Sequence, residues 1–338
     1  MVQRRLLELL TCPRCGHPLA LAGGEGAGGA GAGDDGADGA GHDADAAVCD
    51  NGHRYPAGGP FLDLTAGSVP DATTSRTFES FGYEWNTFDD VRTEDAEFAQ
   101  VYFRDLDMAS LAGLVGLDAG CGKGRYTRFL APHLGGLVAL DGSSAVEAAA
   151  RNLAVFPNVL VVRADLRSAP AAPGRFDLVT CLGVLHHLDD PRAGFRSLVR
   201  LLAPGGRILV YLYSRPAGFG ARRLALSAAR LLRTLTVRLP HRVLRALSAP
   251  VAACLYLGVV RLGAFGQRVG VGPLAGLPMD SYRGKPFRSL MLDTFDRLSA
   301  PVEHRYLWDE LAPWFAEAGL EVDAARDEAG WFVLAHLP

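Results

Sequence analysis

Leu117-Asp118-Ala119-Gly120-Cys121-Gly122-Lys123-Gly124 is the stretch whose reading decides the fold. The apolar run 113–117, closed by Asp118, predicts a strand. Glycines at alternate positions permit positive φ and close backbone approach, and a helix-like pattern resumes over 126–134. Strand, glycine turn and helix in that order predict the first βα unit of a doubly wound sheet, whose ligands sit at the carboxyl ends of the strands. The spacing also chooses among nucleotides. A dinucleotide fingerprint needs a glycine where Arg125 stands, whereas the third glycine here is Gly124.

Asp118-x-Gly120-x-Gly122-x-Gly124 resembles the first motif of class I S-adenosylmethionine-dependent methyltransferases. The resemblance implies a turn packed against the methionine part of the cofactor, with Asp118, Gly120, Cys121, Gly122 and Gly124 as binding residues. The next apolar strand, 136–141, ends in Asp141, a carboxylate placed to accept both ribose hydroxyls. Ser143 and Ser144 behind it read as helix caps. The third strand ends at Asp165. By motif, Asp165 and Leu166 inherit the adenine contacts, and Gly142 and Leu182 complete the set. The stretch 176–191 resembles the same region of ubiquinone- and menaquinone-type methyltransferases. His186 or His187 in it is a candidate general base, since imidazole titrates near neutrality. Leu201-x-x-Pro204-Gly205-Gly206 reads as a helix end and turn before the fifth strand, and the family pattern implies a reversed last hairpin. The fold expected is α/β: a Rossmann-like seven-stranded methyltransferase sheet with a small N-terminal zinc ribbon and a helical insertion.

The zinc expectation rests on spacing. Cys12-Pro13-Arg14-Cys15 and Cys49-x3-His53 offer four ligands for a tetrahedral Zn²⁺, a closed and therefore structural site. These knuckles resemble the zinc ribbon of bacterial ribosomal-RNA guanine methyltransferases and the zinc-binding activator subunits of RNA and protein methyltransferases. Between them, 21–47 is Gly, Ala and Asp with almost no bulky residue, which predicts a disordered loop. Its acids would repel nucleic acid.

Segment 67–110 is rich in aromatic residues and reads either as a lid over the cofactor or as packing on the core. From 214 to 279 the chain carries ten arginines and no acid, although the 338 residues sum to a formal charge of −3. Apolar residues at helical spacing, with Pro240 between two helices, predict a basic amphipathic insertion over 214–282. Its apolar run 246–260 falls short of the ~20 residues that span a bilayer. The insertion therefore reads as a packed subdomain, a membrane-surface element or a phosphate-contacting one.

The expected organisation is a zinc ribbon over 1–66, the aromatic segment over 67–110, and a methyltransferase domain from 111–213 and 283–338. Without a long apolar run ahead of Cys12, and with scattered cysteines suited to a reducing compartment, the expected location is cytoplasmic, with peripheral membrane contact through the insertion. The leading function is methyl transfer to a small-molecule or lipid-like acceptor. A ribosomal-RNA base is the alternative acceptor, and a non-catalytic S-adenosylmethionine-binding or activator protein is a third reading.

Overall fold

The computed structural model describes residues 4–22, 46–65, 70–216, 221–277, 279, 282–328 and 330–338. In chain order, a helical turn α1 (Arg4–Leu7) precedes β1 (Ala20–Leu21), β2 (Ala46–Val48), β3 (Arg54–Pro56) and β4 (Leu62–Asp63), then the helices α2 (Ala72–Thr87) and α3 (Thr93–Tyr102). The alternating part comprises β5 (Val115–Ala119), α4 (Arg125–Leu130), β6 (Gly136–Asp141), α5 (Val146–Leu153), β7 (Val159–Arg163), β8 (Phe176–Leu182), α6 (Pro191–Val199) and β9 (Leu202–Leu212). Helices α7 (Ala221–Thr236), α8 (His241–Leu255), α9 (Leu262–Val269), α10 (Gly272–Ala275) and α11 (Phe287–Ser299) follow. The chain ends with α12 (Trp308–Glu317), β10 (Glu321–Asp327) and β11 (Trp331–His336).

The main sheet runs β10-β11-β9-β8-β5-β6-β7-β4, parallel except for β11, which is antiparallel to both β9 and β10. Its central strands are buried on both faces, as in β6, where Gly136 to Leu140 are all buried. Continuous apolar strands of this kind are what a parallel sheet covered by helices requires. Helix α5 supplies part of the cover through Val146, Ala149, Ala150 and Leu153, spaced i, i+3, i+4 and i+7.

The reversed hairpin agrees with expectation, but the sheet has eight strands rather than seven. The extra one is β4, whose Leu62 pairs in parallel with Val162. A two-residue strand leaves no periodicity to read. The Pro-Gly-Gly turn also differs: it lies inside β9 as an irregularity, because Phe176 pairs with Leu202 and Leu178 already with Arg207. Gly205 takes φ 74°, and its N–H donates to the Leu337 carbonyl at 2.8 Å.

Of the loop expected over 21–47, residues 23–45 lie outside those described. Its described ends are ordered, with Leu21 paired to Ala47.

The chain divides into two compact units, 1–215 with 304–338, and 216–303. Residues 283–303, expected with the sheet, group with the second unit because α11 packs on α7 and α8 and buries Leu290, Met291 and Phe295. In that unit α8, a π-helical turn over Tyr256–Arg261 and α9 form one helix, His241–Val269, of 29 residues.

Candidate active site

The glycine turn sits at the carboxyl end of β5. Gly120, Gly122 and Gly124 have φ of 82°, 54° and 81°, values that favour glycine. Asp118 is buried beneath the turn, where its carboxylate accepts from the hydroxyls of Thr127 at 2.5 Å and Thr180 at 2.9 Å. Burial pushes that carboxyl up, against the pull of the two hydroxyls. Asp118 therefore ties β5 to β8 and α4 and does not face the space above the turn. Cys121 is buried beside it, its thiol raised well above the usual range by burial and then by Asp141 and Asp118.

At the end of β6, Asp141 accepts from the Gly122 N–H at 2.9 Å, the Ser143 N–H at 2.8 Å and the Ser143 hydroxyl at 2.6 Å. The second acid thus braces the first turn. Ser143 also accepts from the Ala145 N–H at 3.1 Å, a turn contact ahead of the helix; the N-cap of α5 is Ala145, without a side-chain cap, so neither Ser143 nor Ser144 caps it as expected.

At the end of β7 the arrangement differs from the motif. Asp165 is held by Arg167, whose guanidinium reaches it at 2.7 Å and whose N–H donates to it at 2.9 Å. Leu166 is buried next to this pair. The guanidinium also contacts Asp71, the N-cap of α2, at 3.1 Å. The Thr74 hydroxyl and N–H, then Arg167, hold the Asp71 carboxyl far below the usual range.

Helix α2 covers the strand ends. A Cβ added at Gly142 would lie 2.6 Å from a ring carbon of Phe78, and one at Gly122 would lie 3.1 Å from Trp85 Nε1. Phe81 meets His187 at 4.8 Å between centroids. Phe78, Phe81 and Trp85, spaced i, i+3 and i+7, thus form the underside of a roof. Its far end is fixed by Lys123, whose Nζ donates to the carbonyls of Phe88 at 3.2 Å and Asp90 at 2.6 Å, and by Asn86, which donates to the Ser144 carbonyl at 2.9 Å. The aromatic density of 67–110 was legible in the sequence; Lys123 and Arg167 were not, since both look like ordinary surface cations.

Beyond β8, whose last residue Leu182 is buried, the His186–His187 doublet lies in a short 3₁₀ turn. His186 is wholly buried and stacks on Tyr213 at 3.8 Å, with His187 at 4.3 Å. Neither ring nitrogen of His186 has a hydrogen-bond partner, while its carbonyl accepts from the His304 N–H at 2.8 Å. Burial, then His187, Arg305 and His304, push its pKa well below the ordinary value, so the ring is neutral. Tyr213 was accessible to sequence reasoning, because it follows Tyr211 at the period of a strand face. His304 follows a long helical unit and carries no local signal.

A neutral buried histidine makes stability depend on pH. The unfolded chain binds a proton below about pH 6.5 and the folded one does not, so His186 favours folding above that pH and loses the effect as pH falls toward its folded pKa. Melting temperature is expected to drop between pH 7 and about pH 5, and less steeply in His186→Phe. Equal slopes in the two proteins would contradict the burial argument.

At the N-terminus Cys12, Cys15, Cys49 and His53 converge, their ligand atoms all within 4.8 Å of one another. Cys15 and Cys49 sulfurs are 3.7 Å apart, and His53 Nδ1 lies 3.3 Å from Cys12 and 3.5 Å from Cys49. A tetrahedron with Zn–S of about 2.3 Å has edges of ~3.8 Å, so the four atoms fit such an ion. Burial would raise the Cys12 thiol, but the Tyr55 hydroxyl at 3.2 Å and the backbone at Arg14 and Cys15 bring it to about 6, favouring the thiolate a metal needs.

The methyltransferase-domain family matches residues 117–210. An uncharacterized Synechococcus protein is 38% identical over 105 residues, 29% of this chain and 25% of its own length. A ubiquinone biosynthesis O-methyltransferase from Pseudomonas paraeruginosa is 34% identical over 112 residues, 32% of this chain and 48% of its own length. The match therefore spans about half or less of these relatives. The crystal structure of the N-methyltransferase NodS from Bradyrhizobium japonicum aligns over 78% of this chain and 99% of its own, with a TM-score of 0.46 and 17% identity. The glycine turn, the strand-end acids and the family match agree: residues 117–210 belong to the class I S-adenosylmethionine-dependent methyltransferase domain.

Proposed function

We propose that the chain uses S-adenosylmethionine to methylate a small-molecule or lipid-like acceptor. The observation that carries this reading is the aromatic roof of α2 over Gly122 and Gly142. An apolar roof suits a planar acceptor small enough to enter beneath it better than a base within a folded RNA. The relatives' names, O-methyltransferases of ubiquinone biosynthesis, support an oxygen nucleophile.

In this reading Gly120, Cys121, Gly122 and Gly124 hold the methionine part through their backbone, Asp141 takes the ribose, and Asp165, Leu166, Gly142 and Leu182 border the adenine. Asp118 acts from below as a positioning residue. When bound, the cofactor supplies a methyl group already activated by its sulfonium. The residues of the chain align the acceptor, exclude water and remove the acceptor's proton. His186 is a poor proton acceptor, because burial holds its pKa far below neutrality. That leaves His187, against Phe81, as the proposed base. The Cys12, Cys15, Cys49 and His53 cluster holds a structural zinc.

Asp141→Ala is expected to weaken cofactor binding by about 1–3 kcal/mol in titration calorimetry, through lost charge-assisted hydrogen bonds. Unchanged affinity would count against the site. Methyl release measured with hydroxylated aromatic acceptors and with ribosomal RNA tests the acceptor. Turnover on RNA alone would move the reading to a base methyltransferase, and binding without turnover on any acceptor would favour a silent or activator protein.

A further inference from the structure

The second unit is set apart by its charge and its surface. Residues 216–303 hold thirteen Lys and Arg against four Asp and Glu, a formal +9 in a chain of −3. Within it the helix His241–Val269 has a mean hydropathy of 1.8 over its most apolar window, yet only 22% of that window is buried. One side is covered: Leu244, Ser248 and Ala252 are buried where α11 packs on α8. The neighbouring flank, about 100° round the helix, exposes Val243, Leu247 and Val251 at intervals of four residues, and further along the helix exposes Leu257, Leu262, Phe265 and Val269. An exposed apolar stripe of this length is uncommon on a surface that meets only water.

The same helix borders a cleft of about 410 Å³, lined by Arg261, Arg268, Arg283 and Lys285 together with Tyr256 and Phe265, with no acid among its described lining residues. Arg283 lies across Gly263 with its Nε buried and without a hydrogen-bond partner. Arg242 and Arg245 are exposed near the start of the helix. Apolar side chains and cations thus lie side by side, the combination that a surface of acyl chains beneath anionic headgroups matches.

We infer that the second unit docks on an anionic membrane, with the exposed stripe of the helix His241–Val269 among the acyl chains and the Arg261, Arg268, Arg283 and Lys285 cleft on a lipid phosphate. The helix lies in the interface and does not cross it. At about 1.5 Å per residue it is longer than a bilayer core, but its side against α11 is committed to protein, and Arg245 and Arg261 interrupt the ~20 apolar residues that crossing requires. RNA would use the cations and leave the apolar stripe wet. The inference stands on the second unit alone and holds whatever the methyl acceptor is.

Vesicle flotation of the full chain tests it. The protein is expected to float with phosphatidylcholine vesicles containing phosphatidylglycerol, to stay in solution with phosphatidylcholine alone, and to be released by high salt. Leu247→Glu, at an exposed position, should weaken binding by at least ~10-fold, with Val251→Glu as a second variant; both should melt like the parent. Arg261→Ala and Arg268→Ala should each weaken it about fivefold. Three results would overturn the inference: equal binding to neutral vesicles, resistance to salt and alkaline extraction as for a spanning helix, or an RNA oligonucleotide bound unchanged by Leu247→Glu while anionic vesicles are not bound.

Discussion

Gly120→Ala is expected to lose cofactor binding by ~30- to 1,000-fold, the largest effect of any single methyl group added to the site, from a strain and overpacking cost of about 2–4 kcal/mol. Two causes combine. Position 120 has φ 82°, where an L side chain meets its own backbone. The added carbon would also lie 2.8 Å from Val184 Cγ1 and 3.0 Å from Val184 Cβ, so the contact is with the stem of a β-branched residue that cannot swing aside. Gly124→Ala is the informative control: its φ is 81°, but its nearest neighbour is Leu153 Cδ1 at 2.8 Å, the end of a flexible side chain. It should do less harm. Adding Val184→Ala to Gly120→Ala should recover the steric part and leave the backbone part. Calorimetry with S-adenosylmethionine reads all three variants, and full affinity in Gly120→Ala would show that the turn relaxes freely and does not define the site.

Cys49→Ser is expected to lower zinc content from one per chain to near zero and melting temperature by about 10 °C or more, because binding of a structural zinc is folding free energy. The loss should reach the main sheet. Leu6, Leu7, Leu10, Leu19 and Tyr55 of the cysteine-rich segment belong to one buried cluster with Val138, Val162 and Phe176 of the strands. Thr11 donates its N–H to the Pro170 carbonyl at 2.8 Å, and β4 closes the sheet edge beside β7. Elemental analysis and a melting curve followed by cofactor binding would check this. A zinc-free protein that melts like the parent would show the metal to be dispensable.

Much of the site was legible in the sequence because its chemistry follows strand ends. Glycines at alternate positions, Asp141 closing an apolar run and two cysteine knuckles each carry their reason locally. What was hidden depends on tertiary partners. Asp165 reads as a free strand-end acid until Arg167 folds onto it, and Asp118 reads as a ligand until Thr127 and Thr180 occupy its oxygens. The insertion was under-read for a different reason. Counting apolar residues between Arg245 and Arg261 treats an arginine as an end, whereas the helical backbone runs through both and on to Val269.

The formal +9 of residues 216–303 leaves −12 for the rest of a chain whose sum is −3. The small total is thus a cancellation, and the molecule behaves as a patchy colloid with two strongly opposed regions. Solubility then depends on ionic strength as much as on pH: in dilute buffer the positive region of one copy attracts the negative region of the next, and added salt loosens that attraction.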